Sequence, residues 1–370
     1  MVLGVVFYAE HRSAPDYAAL FEDIIANSRS EAPQSGLARD WFDCIERDQP
    51  AQDVAATKTL CKAWTVQGVT SELYMLNLSG ERIPVVESRL AGTQEAGLLI
   101  VDVVGGPGNE PYHTYPASNK EFILKHRKGE SWLENYRGPI LKDLPQYQLM
   151  QRGFTIASLG YWGMSIRTLN EHDEMELAVQ DVRLALNYYR DQLGKEPPLI
   201  TGSLGNHLVL GAIGQNRLEN ANVLALVPLM DGLQHHVSRF VPEMVKAEAD
   251  GGHQGYAFYN VYTRTDNGVE FDHSRALRSG DFAVQFFGDA DYDWRDVSLS
   301  GSCSKVILGS EDPRTKAYLE ANNDLPSFIE VWDSGHDIVQ DAPEQTRRAY
   351  ADYANCLLAQ KPKPASKGAN

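Results

Sequence analysis

The chain has 370 residues, 43% of them hydrophobic and 23% charged, with a formal net charge of −16; these are the proportions of a globular protein with enough apolar material for a sizeable core. The acidic surplus, with no Lys/Arg cluster set against it, repels phosphate backbones and anionic lipid, which excludes nucleic acid as an expected partner. No apolar run approaches the roughly 20 residues that cross a bilayer, and the opening "MVLGVVFYAE" is short and lacks the basic start of a secretory signal, so the expectation is a chain with no membrane span.

In chain order, residues 1–65 read as a helical extension: "APDYAALFEDIIANS" and "LARDWFDCIERD" carry apolar residues at helical spacing. "SELYMLNLSGERIPVVESRL" follows as two alternating segments around Ser79-Gly80, a hairpin. The pattern then changes to short apolar runs separated by helices, the mark of a mostly parallel sheet covered on both faces. The runs are "GLLIVDVV", "FTIASLGY", "PLITGS", "NVLALVPL", "SKVILGS" and "SFIEVWD". The helix "DEMELAVQDVRLALNYYRDQLG" repeats Ala178, Val182, Ala185 and Tyr189 at three- and four-residue steps and stops at Gly194; "APEQTRRAYADYANCLLAQ" is the closing helix. The expected class is α/β, a doubly wound sheet spanning residues 66–360, with a tail at 361–370 that reads as disordered.

Two stretches, 109–148 and 231–301, are too long for simple connections. The second is dense in histidine and rings, among them His235, His236, Tyr256, Tyr259, Tyr262, Phe286, Phe287 and Trp294. It reads as a cap inserted at about 231–300, whose aromatics either face a pocket or form the cap's own core.

The four cysteines have neither CxxC spacing nor histidines at zinc-like intervals, so no metal site is read. Two readings fit: disulfides Cys44–Cys61 and Cys303–Cys356, or four buried thiols. The absence of a signal segment points to the cytoplasm, whereas the disulfides would point to the periplasm or beyond.

The chemistry concentrates at "LITGSLGNHLVLG". "PLIT" reads as a buried strand and "NHLVLGAIGQ" as a helix start, so Ser203 falls on the turn between them. A nucleophile elbow needs that context, with small residues two positions either side of the serine; here they are Thr201 and Gly205. The alternative is a tight turn at Gly202 and Gly205 with Ser203 as a helix cap. A serine hydroxyl needs a base to take its proton and a carboxylate to hold that base in the right tautomer. Asp312 in "SKVILGSEDPRT" and His336 in "SFIEVWDSGHDI" each follow an apolar strand, in the order serine, acid, base. Glu311, Asp333 and Asp337 compete for the acid role and His207 for the base. The turn Gly105-Gly106-Pro107-Gly108 can aim an N–H at a developing oxyanion beside that of Leu204; Pro107 cannot donate, which leaves Gly106 or Gly105.

These residues resemble the α/β-hydrolase superfamily, and within it the prolyl oligopeptidase-like and proline iminopeptidase-like branch. "GGPG" looks like the end of an HGGPG turn, "SGERIPVVESR" like the lead-in hairpin, and "RGFTIASLGYWGMS" like the strand with a Y-x-G end. The resemblance covers roughly residues 70–357. It implies Ser203 as nucleophile, Asp312 as acid and His336 as base, with no metal or organic cofactor. Val104 stands where the turn's histidine would be, and Thr201 and Asn206 replace glycines. The implied substrate is a small-molecule carboxylic ester or, second, a peptide; a scaffold without catalysis, used for binding, is the reading from another class.

Overall fold

Two residues with positive φ, Ser79 (52°) and Gly80 (89°), close a two-residue hairpin between β2 (Val69–Leu78) and β3 (Glu81–Leu90). Paired positive φ angles of this kind match the turn to the twist of the strands it joins. The computed structural model describes residues 44, 56–66, 68–92, 98–103, 105, 144–161, 174–236, 238, 262–265, 268–271 and 290–360.

The helical extension expected through residue 65 does not end as a helix. Residues Thr57–Val66 form β1, antiparallel to β2 and at the edge of the sheet. The register shifts between Leu60 and Lys62, and Leu60 is half exposed, so the strand lacks the clean alternation that identifies one in sequence. Cys44 is helical; the remainder of the extension and the tail at 361–370 lie outside the described residues.

The six apolar runs become the six strands of a parallel array: β4 (Leu99–Val103), β5 (Thr155–Leu159), β6 (Leu199–Gly202), β7 (Val223–Leu226), β10 (Lys305–Gly309) and β11 (Ile329–Trp332). The sheet order is β1-β2-β3-β5-β4-β6-β7-β10-β11, with β3 antiparallel to β5 and every later pairing parallel. Helices α2 (Glu174–Leu193) and α3 (Leu204–Asn220) cover one face; Ala178, Val182, Ala185 and Tyr189 of α2 are all buried there with Val101 and Val103. Helices α1 (Pro145–Met150) and α6 (Pro343–Ala359), the latter preceded by the one-turn α5 (Ile338–Asp341), cover the other, where Tyr350, Tyr353 and Leu357 meet Ile100 and Ile307. The Tyr353 hydroxyl donates to the carbonyls of Leu199 (3.0 Å) and Asn222 (2.7 Å), anchoring α6 to the strand that carries Ser203.

Within 231–300, β8 (Tyr262–Thr265) and β9 (Gly268–Phe271) form a separate antiparallel pair. Tyr256, Tyr259, Phe286 and Phe287 lie outside the described residues. Trp294, counted among the cap aromatics, is instead core: it is 1% exposed and packs with Leu208 and Val297 on the α2/α3 face. Neighbouring Tyr292 explains why. Its hydroxyl donates to Glu176 of α2, and its ring occupies the space over Gly211, where a Cβ would approach it to 2.7 Å.

Both cysteine pairs are bonded: Cys44–Cys61 ties a helical residue to β1, and Cys303–Cys356 ties the segment before β10 to α6. The second spans 53 residues against 17 for the first, so loop-closure entropy gives it the larger effect, about 4 against about 3 kcal/mol. Replacing Cys303 and Cys356 together by serine should lower the thermal midpoint by several degrees, and by more than the same exchange at Cys44 and Cys61; calorimetry of the two variants checks the ranking.

Asp102, in the middle of β4, is 3% exposed, and its Oδ2 has no hydrogen-bond partner among the described residues. Burial pushes its carboxyl up to about 7, against the opposing hydrogen bond from Gln146. A folded-state pKa above the unfolded value of 3.8 means a stabilising contribution that is complete below about pH 4 and lost as pH rises through about 7. The unfolding free energy of Asp102→Asn minus that of the wild type should therefore grow by about 4 kcal/mol between pH 4 and pH 8. Denaturant titration across that range is the measurement, and a flat difference would contradict it.

Candidate active site

β6 ends at Gly202 and α3 begins at Leu204. Ser203 between them has φ 46° and ψ −118°, a conformation that costs an L-residue free energy and persists only where its surroundings impose it. The Ser203 N–H donates to the Leu226 carbonyl at the end of β7 (2.9 Å). Behind the serine runs the turn that follows β4. A Cβ on Gly105 would lie 2.2 Å from the Gly202 oxygen and 2.6 Å from Ser203 Cβ, so only glycine lets that turn reach the elbow. Gly106 lies outside the described residues. Leu204, the first residue of α3, has an N–H in the helical turn whose donors lack intrahelical acceptors.

Strands β10 and β11 bring two more loops to the same edge. His336 Nε2 lies 2.8 Å from Ser203 Oγ, and His336 Nδ1 lies 2.6 Å from Asp312 Oδ2. The carboxylate accepts, so Nδ1 carries the proton and Nε2 is left to accept from the serine hydroxyl. Asp312 is fully buried, and its Oδ1 accepts the Arg314 backbone N–H (3.0 Å) with the Arg314 guanidinium at 3.4 Å. Burial raises the Asp312 pKa, but hydrogen bonding and charge from His336 and Arg314 outweigh it and hold the carboxyl below the usual range.

The loops after β10 and β11 are laced together. The Glu311 N–H donates to the Ser334 carbonyl (3.0 Å), and a Cβ on Gly309 would come within 2.3 Å of the Gly335 oxygen. Asp231, in the segment after β7, accepts the N–H groups of Ala317 (3.4 Å) and Tyr318 (2.8 Å) at the start of α4 (Lys316–Ala321), immediately after the Asp312 turn.

The competing groups stand elsewhere. Glu311, Asp333 and Asp337 are exposed. His207, one turn into α3, is fully buried with both ring nitrogens engaged: Nδ1 bonds the Tyr292 carbonyl (2.5 Å) and Nε2 accepts from the Leu229 N–H (3.1 Å). Burial lowers its pKa to about 4, so it is a neutral tie between the elbow helix and two loops. His236 is likewise lowered, to about 3, by burial and then by the charges of Arg314 and His336, which makes it a second neutral imidazole in the electrostatic range of the site.

Sequence reasoning treated Thr201 and Asn206 as departures from a motif and missed that they meet. The Thr201 hydroxyl donates to Asn206 Oδ1 (2.5 Å), and the Asn206 amide donates to the carbonyls of Ser203 (3.0 Å) and Leu226 (2.9 Å). The available signal was a hydrogen-bonding pair, two residues before the serine and three after it. Among the described residues no group of three or more His, Cys, Asp or Glu side chains could hold a metal ion, and no helix is long and apolar enough to cross a membrane.

No protein-family model matches the chain, and no curated protein matches it. Among solved structures it is similar to an esterase/lipase from an uncultured bacterium, at 14% identity and a TM-score of 0.40 over 94% of this chain and 99% of the other. It is also similar to a hyperthermophilic esterase from Pyrobaculum calidifontis, at 16% and 0.41 over 78% and 85%. A third is a serine hydrolase without a lid from Xanthomonas campestris, at 12% and 0.40 over 79% and 97%. The chain's own strand order, with a serine on the turn from a central parallel strand into a helix, is that of the α/β-hydrolase fold.

Proposed function

We propose that the protein is a serine hydrolase that cleaves carboxylic esters through an acyl-enzyme on Ser203. The observation that carries this reading is the continuous relay from Ser203 Oγ through His336 to a buried Asp312 carboxylate held ionised at neutral pH. His336 Nε2 takes the serine proton as Oγ attacks the ester carbonyl carbon, and Asp312 stabilises the imidazolium that results. The negative charge that develops on the carbonyl oxygen faces the Leu204 N–H and an N–H of Gly105 or Gly106. The intermediate collapses by breaking the bond to the alcohol oxygen, which leaves with the proton from His336. Water then repeats the sequence: His336 takes its proton, the hydroxyl adds to the acyl carbon, and Ser203 leaves reprotonated.

An ester is the first substrate class because an alcohol leaves more readily than an amine, so the relay alone supplies what the chemistry requires. The "GGPG" likeness to prolyl oligopeptidase-like and iminopeptidase-like enzymes makes a peptide the second. Residues 231–300 would wall the pocket. The two disulfides support work in an oxidising compartment, since cytosolic reductants keep such thiols reduced.

Ser203→Ala and His336→Ala should each lower p-nitrophenyl ester hydrolysis by about a thousandfold or more, and Ser203→Ala should abolish labelling by a fluorophosphonate. Asp312→Asn should cost about a hundredfold or more, because the imidazole loses its tautomer. His207→Asn should lower the thermal midpoint while the folded protein keeps kcat within a few-fold. Equal rates for Ser203→Ala and wild type would sink the assignment. Turnover of aminoacyl-naphthylamides without esters would select the peptidase reading, and labelling of neither serine nor variant, without turnover, would select the binding scaffold.

A further inference from the structure

The small-residue pattern around the serine fails at Thr201 and Asn206, and these two side chains are joined in the core. Both are 0% exposed. Asn206 Oδ1 accepts from the Thr201 hydroxyl, while Nδ2 donates once to the Ser203 carbonyl and once to the Leu226 carbonyl. The two carbonyls fix the orientation of the amide: turned over, its own oxygen would face both of them. The Thr201 hydroxyl then faces the amide oxygen and donates to it, which locks the side chain from the other end.

One carbonyl belongs to a residue with positive φ, and the other directly precedes one. Ser203 has φ 46°, and Val227, directly after Leu226, has φ 41°, a left-handed value that a β-branched residue adopts only under constraint. Each carbonyl also has a backbone donor. Ser203 O accepts the Asn206 N–H (3.2 Å), and Leu226 O accepts the Ser203 N–H (2.9 Å). Removing the amide therefore leaves neither carbonyl orphaned in the core, although the buried Thr201 hydroxyl loses its acceptor. What is lost is the side-chain cross-tie between the Ser203 and Leu226 carbonyls, which leaves the single Ser203 N–H bond to Leu226 to hold the serine turn against the end of β7.

We infer that Asn206, locked by Thr201, is the positioning residue that holds the Ser203 turn against β7 and so sets Ser203 Oγ within reach of His336. This rests on Ser203 being the nucleophile. The pair does through side chains what glycine packing does when small residues flank the serine: it lets strand, turn and helix sit close without slack. A displacement of the nucleophile by a fraction of an ångström is enough to matter, because misplacement by about 1 Å can cost about a hundredfold in rate.

The test uses the full chain with Asn206→Ala, Thr201→Val, Thr201→Ser and the Thr201→Val/Asn206→Ala double variant. Asn206→Ala should lower kcat on a p-nitrophenyl ester by about 10- to 100-fold, with KM within about threefold, since the loss is of alignment and not of binding. Thr201→Val, the same shape without the hydroxyl, should cost about tenfold, and Thr201→Ser should restore kcat to within about twofold. Because Thr201 acts through Asn206, the double variant should be no slower than Asn206→Ala alone. Hydrogen exchange supplies a readout independent of turnover: the Ser203 amide should exchange at least tenfold faster in Asn206→Ala and in Thr201→Val, with Ile307 in β10 unchanged. If Asn206→Ala does not fold, Thr201→Val carries both measurements. Wild-type kcat with wild-type exchange at Ser203 overturns the inference, as does multiplication of the two single effects in the double variant. If Ser203→Ala retained wild-type hydrolysis, the catalytic reading would fail while exchange at Ser203 still decided whether the pair holds the turn.

Discussion

A serine held at φ 46° and ψ −118° is the constraint on which the rest of the site depends. Such a backbone costs roughly 1–3 kcal/mol, and nothing in Ser203 itself favours it. The surroundings impose it from three sides: the N–H is held by Leu226 at the end of β7, Gly105 brings the turn after β4 against the serine, and α3 is fixed below by Leu204, Leu208 and Val209 in the core. Each buried side chain of that kind contributes about 2 kcal/mol, so the helix has ample free energy to hold a strained residue at its N-cap.

The parallel sheet does the remaining alignment. In parallel neighbours all chains leave at one edge, so the residues after β6, β10 and β11 emerge side by side. Gly309, lacking a Cβ, then lets the end of β10 touch the backbone of the loop after β11, and the Glu311–Ser334 hydrogen bond fixes their relative height. The result is one rigid base for Asp312 and His336. An ionised, buried Asp312 is tolerable only because two donors outside the relay, the Arg314 N–H and guanidinium, share its charge.

What could be read in the sequence follows from the same physics. Strands buried on both faces appear as unbroken apolar runs, which made β4 to β7 and β10 visible; β11, an edge strand with Glu330 and Val331 exposed, showed only as a short, broken apolar run, and Ser79-Gly80 marked its hairpin. The position of Ser203, Asp312 and His336 just after strand ends was legible for that reason. Strand β1 was not: an edge strand with a register shift and an exposed Leu60 has no clean period. Whether Trp294 faced a pocket or a core was not legible, because ring density says nothing of tethers, and its neighbour Tyr292 is held by Glu176, far away in the chain. The Thr201–Asn206 tie was hidden for a related reason: a motif scores each position separately, whereas two departures can compensate each other only as a pair.

The buried titratable groups around this edge lean in opposite directions. His207 and His236 have folded pKa values of about 4 and about 3, below the ordinary 6.5. Each favours the native state above pH 6.5, and that contribution is lost as pH falls towards its folded value, because the unfolded chain binds the proton first. Asp102 leans the other way: its contribution is lost between pH 3.8 and about 7. From about pH 4 to 6.5 two imidazoles oppose one carboxyl, and the imidazoles prevail; from 6.5 to about 7 only the carboxyl still titrates, and stability turns down. These three groups together set a stability maximum near pH 6.5. His207 joins the elbow helix to Tyr292 and Leu229, and His236 lies in the electrostatic field of Arg314 and His336. In the folded protein both imidazoles stay neutral until the pH approaches these low values, so the loss of stability below pH 6.5 comes from proton uptake by the unfolded chain and not from protonation of the ties at the serine edge.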